Sequence, residues 1–135
     1  MKKDSYSILY ILGRGRSGST VVDAVLGNLD STFGAGELVE GLYRRYPDGI
    51  CSCGAVLSDC PIWGVVVRHT EASLGILREQ WAGSLASQMH LKSFLKTFFL
   101  SGSNKWAKDL RHINETLYSE VSKVTDSQHI VDSSK

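Results

Sequence analysis

Residues 8–20 limit what this chain can fold into more than any other stretch. Ile8, Leu9, Tyr10, Ile11 and Leu12 form an almost wholly apolar run. Gly13, Gly15 and Gly18 follow at once, interleaved with Arg14, Arg16, Ser17, Ser19 and Thr20. A short apolar run rich in Ile and Tyr reads as a strand buried on both faces. Glycine adopts positive φ at little cost, so the chain can curl and aim successive N–H groups at one point. Residues 21–29 then read as a first helix, whose unpaired N–H groups and positive dipole end face the same point. Strand, curled loop and helix N-terminus together make a cradle for an anion. A plain tight turn between strand and helix is the simpler alternative.

The spacing of Gly13 and Gly18 followed by Ser19 and Thr20 is the outline of a phosphate-binding P-loop with one departure. Ser19 stands where the G-x-x-x-x-G-K-[ST] pattern has its lysine, the residue a nucleotide triphosphatase places on the β and γ phosphates. Positive charge comes instead from Arg16, whose planar fork suits two oxygens of a phosphate or sulfate.

The run Arg16-Ser-Gly-Ser-Thr after an apolar strand resembles the 5′-phosphosulfate loop of the sulfotransferases. These enzymes use 3′-phosphoadenosine 5′-phosphosulfate (PAPS) as donor and are distant structural relatives of nucleotide kinases. Gly36-Glu37 and the closing Ile-Val-Asp-Ser-Ser-Lys of residues 130–135 match as well, and the cysteine-containing insert at 51–63 is similar to that of a bacterial-type branch. The resemblance implies a P-loop NTPase-like, three-layer α/β/α fold with a mostly parallel sheet, of which residues 1–135 form the N-terminal part. It implies transfer of a sulfuryl group to a hydroxyl or amine acceptor, small molecule, carbohydrate or lipid. Gly15, Arg16, Ser17, Gly18, Ser19 and Thr20 would hold the donor. Glu37 would be the general base, with Lys135 and Arg16 stabilising charge, and no metal is required. Because the family continues past this point with its 3′-phosphate site and further strands, the open sheet edge is expected to pair with such sequence or with itself. The alternatives are a P-loop kinase or nucleotidase, and a non-catalytic nucleotide- or anion-binding module.

Composition sharpens what kind of site this is. With 15 basic and 14 acidic residues the formal net charge is +1, so no global field steers the chain toward nucleic acid or an anionic membrane. Anion binding must be local, as a single loop provides. The 135 residues amount to one domain, able to bury about two-thirds of their unfolded surface. The N-terminal apolar run is too short for a signal-peptide core, and no run reaches the ~18 apolar residues of a membrane span. A cytoplasmic location is expected.

Residues 32–36 read as a second strand or a loop, and Glu37 opens a short helix over 38–43. If the two strands are parallel, Glu37 lies at the ligand-bearing carboxyl edge and can take the proton from an acceptor hydroxyl. Otherwise it merely favours a helix N-terminus. Glu40, one turn on, is a second candidate base. Cys51, Cys53 and Cys60 form a compact C-x-C-x6-C insert. Structural thiols or one incidental disulfide are expected; zinc with His69 as fourth ligand and a redox role are the alternatives. No metal is assigned.

Residues 62–125 are expected to be mostly helical. Leu91, Phe94, Leu95, Phe98 and Phe99 recur at helical spacing, and Ser103 or Asn104 can cap the next helix. There Trp106, Leu110, Ile113, Leu117, Val121 and Val124 form an apolar stripe opposite Lys108, Asp109, Glu115 and Glu120. Trp81 and Met89 are expected in the core, and His90 and His112 are given no role. Residues 129–132 read as a buried strand delivering Lys135 to the site, where a cation would stabilise developing charge; a solvated lysine is the alternative. Asp132 could instead anchor the loop by hydrogen bonding.

Overall fold

The structure is a computed structural model and describes residues 5–13, 16–88 and 105–134. Its centre is a small parallel sheet of β1 (Ser7–Tyr10), β2 (Thr32–Gly36) and β3 (His129–Asp132), in the order β1-β3-β2. Ile8 on β1 and Phe33 on β2 both lie opposite Ile130, and the register slips between Gly34 and Gly36 at the end of β2. The last strand of the three in sequence is therefore the middle one in space. Around the sheet stand α1 (Ser19–Leu26), α2 (Leu38–Glu40) running into a π-helical turn at Gly41–Arg45, α3 (Trp63–Leu74), α4 (Arg78–Gln88) and α5 (Lys105–Thr125).

Side-chain alternation along β2 assigns the layers. Successive strand residues face opposite sides of a sheet. Phe33 packs toward Trp63 of α3, with ring centroids 5.7 Å apart. Gly34 faces the other way, where a Cβ would come 2.7 Å from the Asp23 carboxylate on α1. Thus α1 lies on one face of β2 and Trp63 of α3 on the other, in a mixed α/β architecture. The main core fills the α3 side: Leu38, Leu42, Val66, Val67, Trp81, Leu85, Leu117, Val121 and Ile130 are all buried there.

The long amphipathic helix forms as its pattern predicts, with Leu110, Ile113, Leu117 and Val121 buried. Glu120 departs from its expected solvated position. It is buried and receives a hydrogen bond from Lys123 at 2.8 Å, with the His69 ring 3.4 Å from its carboxylate. The helical region is interrupted at Gly75, whose φ of 68° ends α3. Arg78 then clamps α4 to the π-helical turn by donating to the Leu42 carbonyl at 2.8 Å and lying 5.3 Å from the centre of the Tyr46 ring. The apolar spacing over 91–99, Met89, His90 and the capping residues Ser103 and Asn104 lie outside the described residues. Among the described residues no helix is long and apolar enough to cross a membrane.

Two sequence expectations change. The opening strand is not buried on both faces: Ile8 is 43% and Leu9 52% exposed. As an edge strand paired only with β3 among the described residues, it lacks the second neighbour that a central strand has. The first helix starts at Ser19 rather than Val21, because Gly18, at φ 80°, turns its carbonyl to accept from Val21 and Val22 at 3.0 and 3.2 Å.

Close approach of α1 to β2 depends on missing side chains. A Cβ on Gly27 would sit 2.8 Å from the Gly34 backbone, and backbone cannot yield as a flexible side-chain tip can. Gly27→Ala is expected to cost about 1–3 kcal/mol by overpacking. Gly41→Ala, at φ −60° with nothing within 4 Å of its Cβ, is expected to be neutral or stabilising by up to about 1 kcal/mol. Thermal unfolding of the two variants checks the contrast.

Candidate functional site at the carboxyl edge of the sheet

Parallel strands deliver their carboxyl ends to one edge, where open α/β sheets hold ligands. Here β1 leads into residues 11–20, β2 into Gly36 and Glu37, and β3 into Ser133 and Ser134. The three ends are laced together. Ile11 N–H donates to the Asp132 carbonyl at 2.8 Å, and Ser133 N–H donates to the Gly36 carbonyl at 3.0 Å. Ser134 Oγ accepts from Val39 N–H at 3.1 Å, while its carbonyl accepts from the Tyr10 hydroxyl. Asp132 is buried, and its carboxylate accepts from Ser134 N–H at 2.8 Å and from the Tyr118 hydroxyl of α5.

The Gly-rich loop doubles back on itself. A Cβ on Gly13 would come 2.7 Å from Ser17 Oγ and 3.6 Å from Ser19 Cβ, so the entering and leaving arms touch. Arg16, at φ 65°, and Gly18, at φ 80°, supply the left-handed residues that the curl requires. With the Val21 and Val22 amides bonded to Gly18, the Ser19 and Thr20 amides are left at the mouth of α1 without an intrahelical partner. Ser19 is buried, and its Oγ has no hydrogen-bond partner. Arg16, Ser17, Gly18 and Thr20 are exposed. Arg14, Gly15 and Lys135 lie outside the described residues.

Asp23 ties the loop's helix to the second strand. Its Oδ2 accepts from Gly36 N–H at 3.1 Å, one residue before Glu37. The buried Ser133 hydroxyl lies near the Asp23 carboxylate and favours its charged form. Ser19 Oγ thus stands unsatisfied at this sheet edge, where nearly all buried hydroxyls are paired. Glu37 is exposed at the start of α2, and Glu40 lies 3.5 Å from Arg44.

The strands carrying the loop and Glu37 are parallel, as the expectation for Glu37 required, but they are not neighbours. Since β3 lies between them, their ends stand about 10 Å apart, with Ser133 and Ser134 in the gap. The Asp132 carbonyl takes Ile11 N–H, extending the β1–β3 ladder by one step, while its carboxylate holds Ser134 and Tyr118 rather than the Gly-rich loop. Asp23, Tyr118 and the two serines are site residues that sequence reasoning missed. A single carboxylate inside the apolar stretch Val21-Val-Asp-Ala-Val-Leu was the available signal for Asp23.

Away from this edge, Cys51, Cys53 and Cys60 converge, all free thiols with their sulfurs within 4.8 Å of one another. His69 does not join them; it lies against Glu120. Compared with family models, curated proteins and solved structures, the chain matches none.

Burial, the largest influence, raises the Asp23 carboxyl above its ordinary value against the Ser133 hydroxyl and Gly36 amide, and the nearby Asp132 adds to the rise. The folded state therefore holds this proton more tightly than the unfolded chain. That contribution is present below the ordinary carboxylate range and is lost as pH rises through the folded value. Asp23→Asn keeps an oxygen for Gly36 but cannot titrate. Its melting temperature relative to wild type is expected to improve as pH goes from about 4 to about 7; a constant difference contradicts the buried-carboxylate account.

Proposed function

We propose that the carboxyl edge of this sheet binds the 5′-phosphosulfate of PAPS and transfers its sulfuryl group to a hydroxyl or amine acceptor. The observation that carries the reading is the buried, unpartnered Ser19 Oγ behind the mouth of α1, inside a loop curled by left-handed Arg16 and Gly18. Such a mouth favours a tetrahedral oxyanion by dipole and by N–H donation. A phosphosulfate oxygen at the loop would satisfy Ser19 Oγ, with the Ser19 and Thr20 amides as further donors. A second buried hydroxyl, Ser133 Oγ at the end of β3 beside Asp23, extends the donor set toward Glu37.

Within this reading each residue has a task. Arg16, exposed on the loop, closes over the sulfuryl oxygens with its guanidinium fork. Glu37 takes the acceptor proton as the acceptor atom bonds to sulfur and the sulfur–oxygen bond to the 5′-phosphate breaks, releasing adenosine 3′,5′-bisphosphate. Lys135, assigned from the sequence match alone, offsets charge on the leaving phosphate. The absence of the P-loop lysine at Ser19 disfavours a triphosphate-cleaving enzyme.

A thermal-shift comparison separates the readings. Adenosine 3′,5′-bisphosphate is expected to stabilise the chain more than ATP with Mg²⁺ or free sulfate. Arg16→Ala is expected to abolish that shift, and Glu37→Gln to keep it while turnover with PAPS falls by about 100-fold or more. Preferential stabilisation by ATP with Mg²⁺, or an unchanged shift in Arg16→Ala, contradicts the proposal.

A further inference from the structure

The cysteine insert has no part in the proposed transfer, yet its geometry is that of a ligand set. From Cys60 Sγ the distance is 3.5 Å to Cys51 Sγ and 3.8 Å to Cys53 Sγ. A tetrahedral zinc ion with Zn–S bonds of about 2.3 Å separates its sulfur ligands by about 3.8 Å. Both separations from Cys60 therefore stand near metal-ligand spacing, and all three sulfurs lie within 4.8 Å of one another.

The backbone builds this arrangement from both sides. Ile50 and Val56 form an antiparallel bridge, and the turn between them is closed by Gly54 N–H to the Cys51 carbonyl at 2.9 Å, with Gly54 at φ 89°. That turn presents Cys51 and Cys53 together. Cys60 comes from the opposite side, just before α3, and receives the Trp63 N–H on its sulfur at 3.5 Å. Amide donation to sulfur favours thiolate and orients it, the service that outer partners render to metal ligands. Arg45 donates from its guanidinium to the Ile50 carbonyl at 2.6 Å, bracing the backbone that leads into Cys51.

We infer that Cys51, Cys53 and Cys60 bind one zinc ion as a tris-thiolate site, with the fourth position taken by water or another exogenous ligand. Thiolate donors select zinc over the oxygen-seeking Mg²⁺ and Ca²⁺. Among the described residues no histidine or carboxylate completes the cluster. Cys53 is exposed while Cys60 is buried, so the open position faces solvent on the Cys53 side. Binding releases the thiol protons as thiolate–zinc bonds form, with no change of oxidation state. The ion would pin residues 50–60 to the start of α3.

The test uses the reduced full chain, prepared without oxygen, and titrates it with Zn²⁺ and with Co²⁺ as a spectroscopic probe. One metal per chain is expected, with an intense thiolate-to-cobalt charge-transfer band and tetrahedral ligand-field bands that Zn²⁺ abolishes. Cys60→Ser and Cys53→Ser are each expected to weaken binding by more than the ~10–100-fold typical of outer-partner changes. Because Cys60 is buried, Cys53→Ser at the exposed position decides the matter if Cys60→Ser fails to fold. A reduced chain that takes up no Co²⁺, a spectrum without the charge-transfer band, or unchanged affinity in Cys53→Ser overturns the inference.

Discussion

One buried carboxylate holds the carboxyl edge of this sheet together. Asp132 is 1% exposed, and a carboxylate taken out of water is destabilising unless its oxygens are paired. Its two oxygens are met by Ser134 N–H and the Tyr118 hydroxyl, and its carbonyl receives Ile11 N–H. Hydrogen bonds to charged groups contribute about 1.5–3 kcal/mol each, so this clasp is among the stronger local interactions of a small sheet. Burial first, and the neighbouring Asp132 charge second, push the Tyr118 hydroxyl well above its ordinary value. Tyr118 therefore stays protonated and remains a donor. Through it α5, the longest helix among the described residues, is tied to the strand that separates the loop from Glu37.

The placement of β3 gives the site its form. A central strand ending in Ser133 and Ser134 puts two hydroxyls between the Gly-rich loop and the Gly36-Glu37 corner. Asp23 reaches from α1 to Gly36, so the helix that opens the cradle also sets the corner from which Glu37 projects. The Gly27–Gly34 approach brings the two near enough for that bond. Loop, corner and central strand are thus one mechanically linked edge, held by backbone and carboxylate contacts. The proposed sulfuryl transfer would be built across it, with anion binding at one end and proton removal at the other.

Much of this was legible in the chain. The positions of β3 and α5 and the Gly-curled loop follow from period and glycine spacing, whereas residues 32–36 read equally as strand or loop and the parallel delivery of Glu37 was only a condition. The edge position of β1 was not legible, because an apolar pentapeptide looks alike whether it has one neighbour or two; Leu9 and Ile8 carry the same side chains either way. The insertion of β3 between β1 and β2 is a long-range pairing across roughly a hundred residues, which no local pattern encodes. Glu120 looked solvated because helical spacing placed it opposite the stripe, whereas a partner on α3 draws it inward. The cysteines showed their number in the sequence, but their convergence depends on a turn and a helix start meeting in space.

The most direct measurement of the central claim is a titration of ¹⁵N-labelled protein with adenosine 3′,5′-bisphosphate, followed by amide chemical shifts. Saturable shifts concentrated at Gly18, Ser19 and Thr20, and extending to Gly36 and Ser133, are the result the account predicts. Shifts that leave those amides still, or that gather on the faces of α3 and α5 instead, would contradict it.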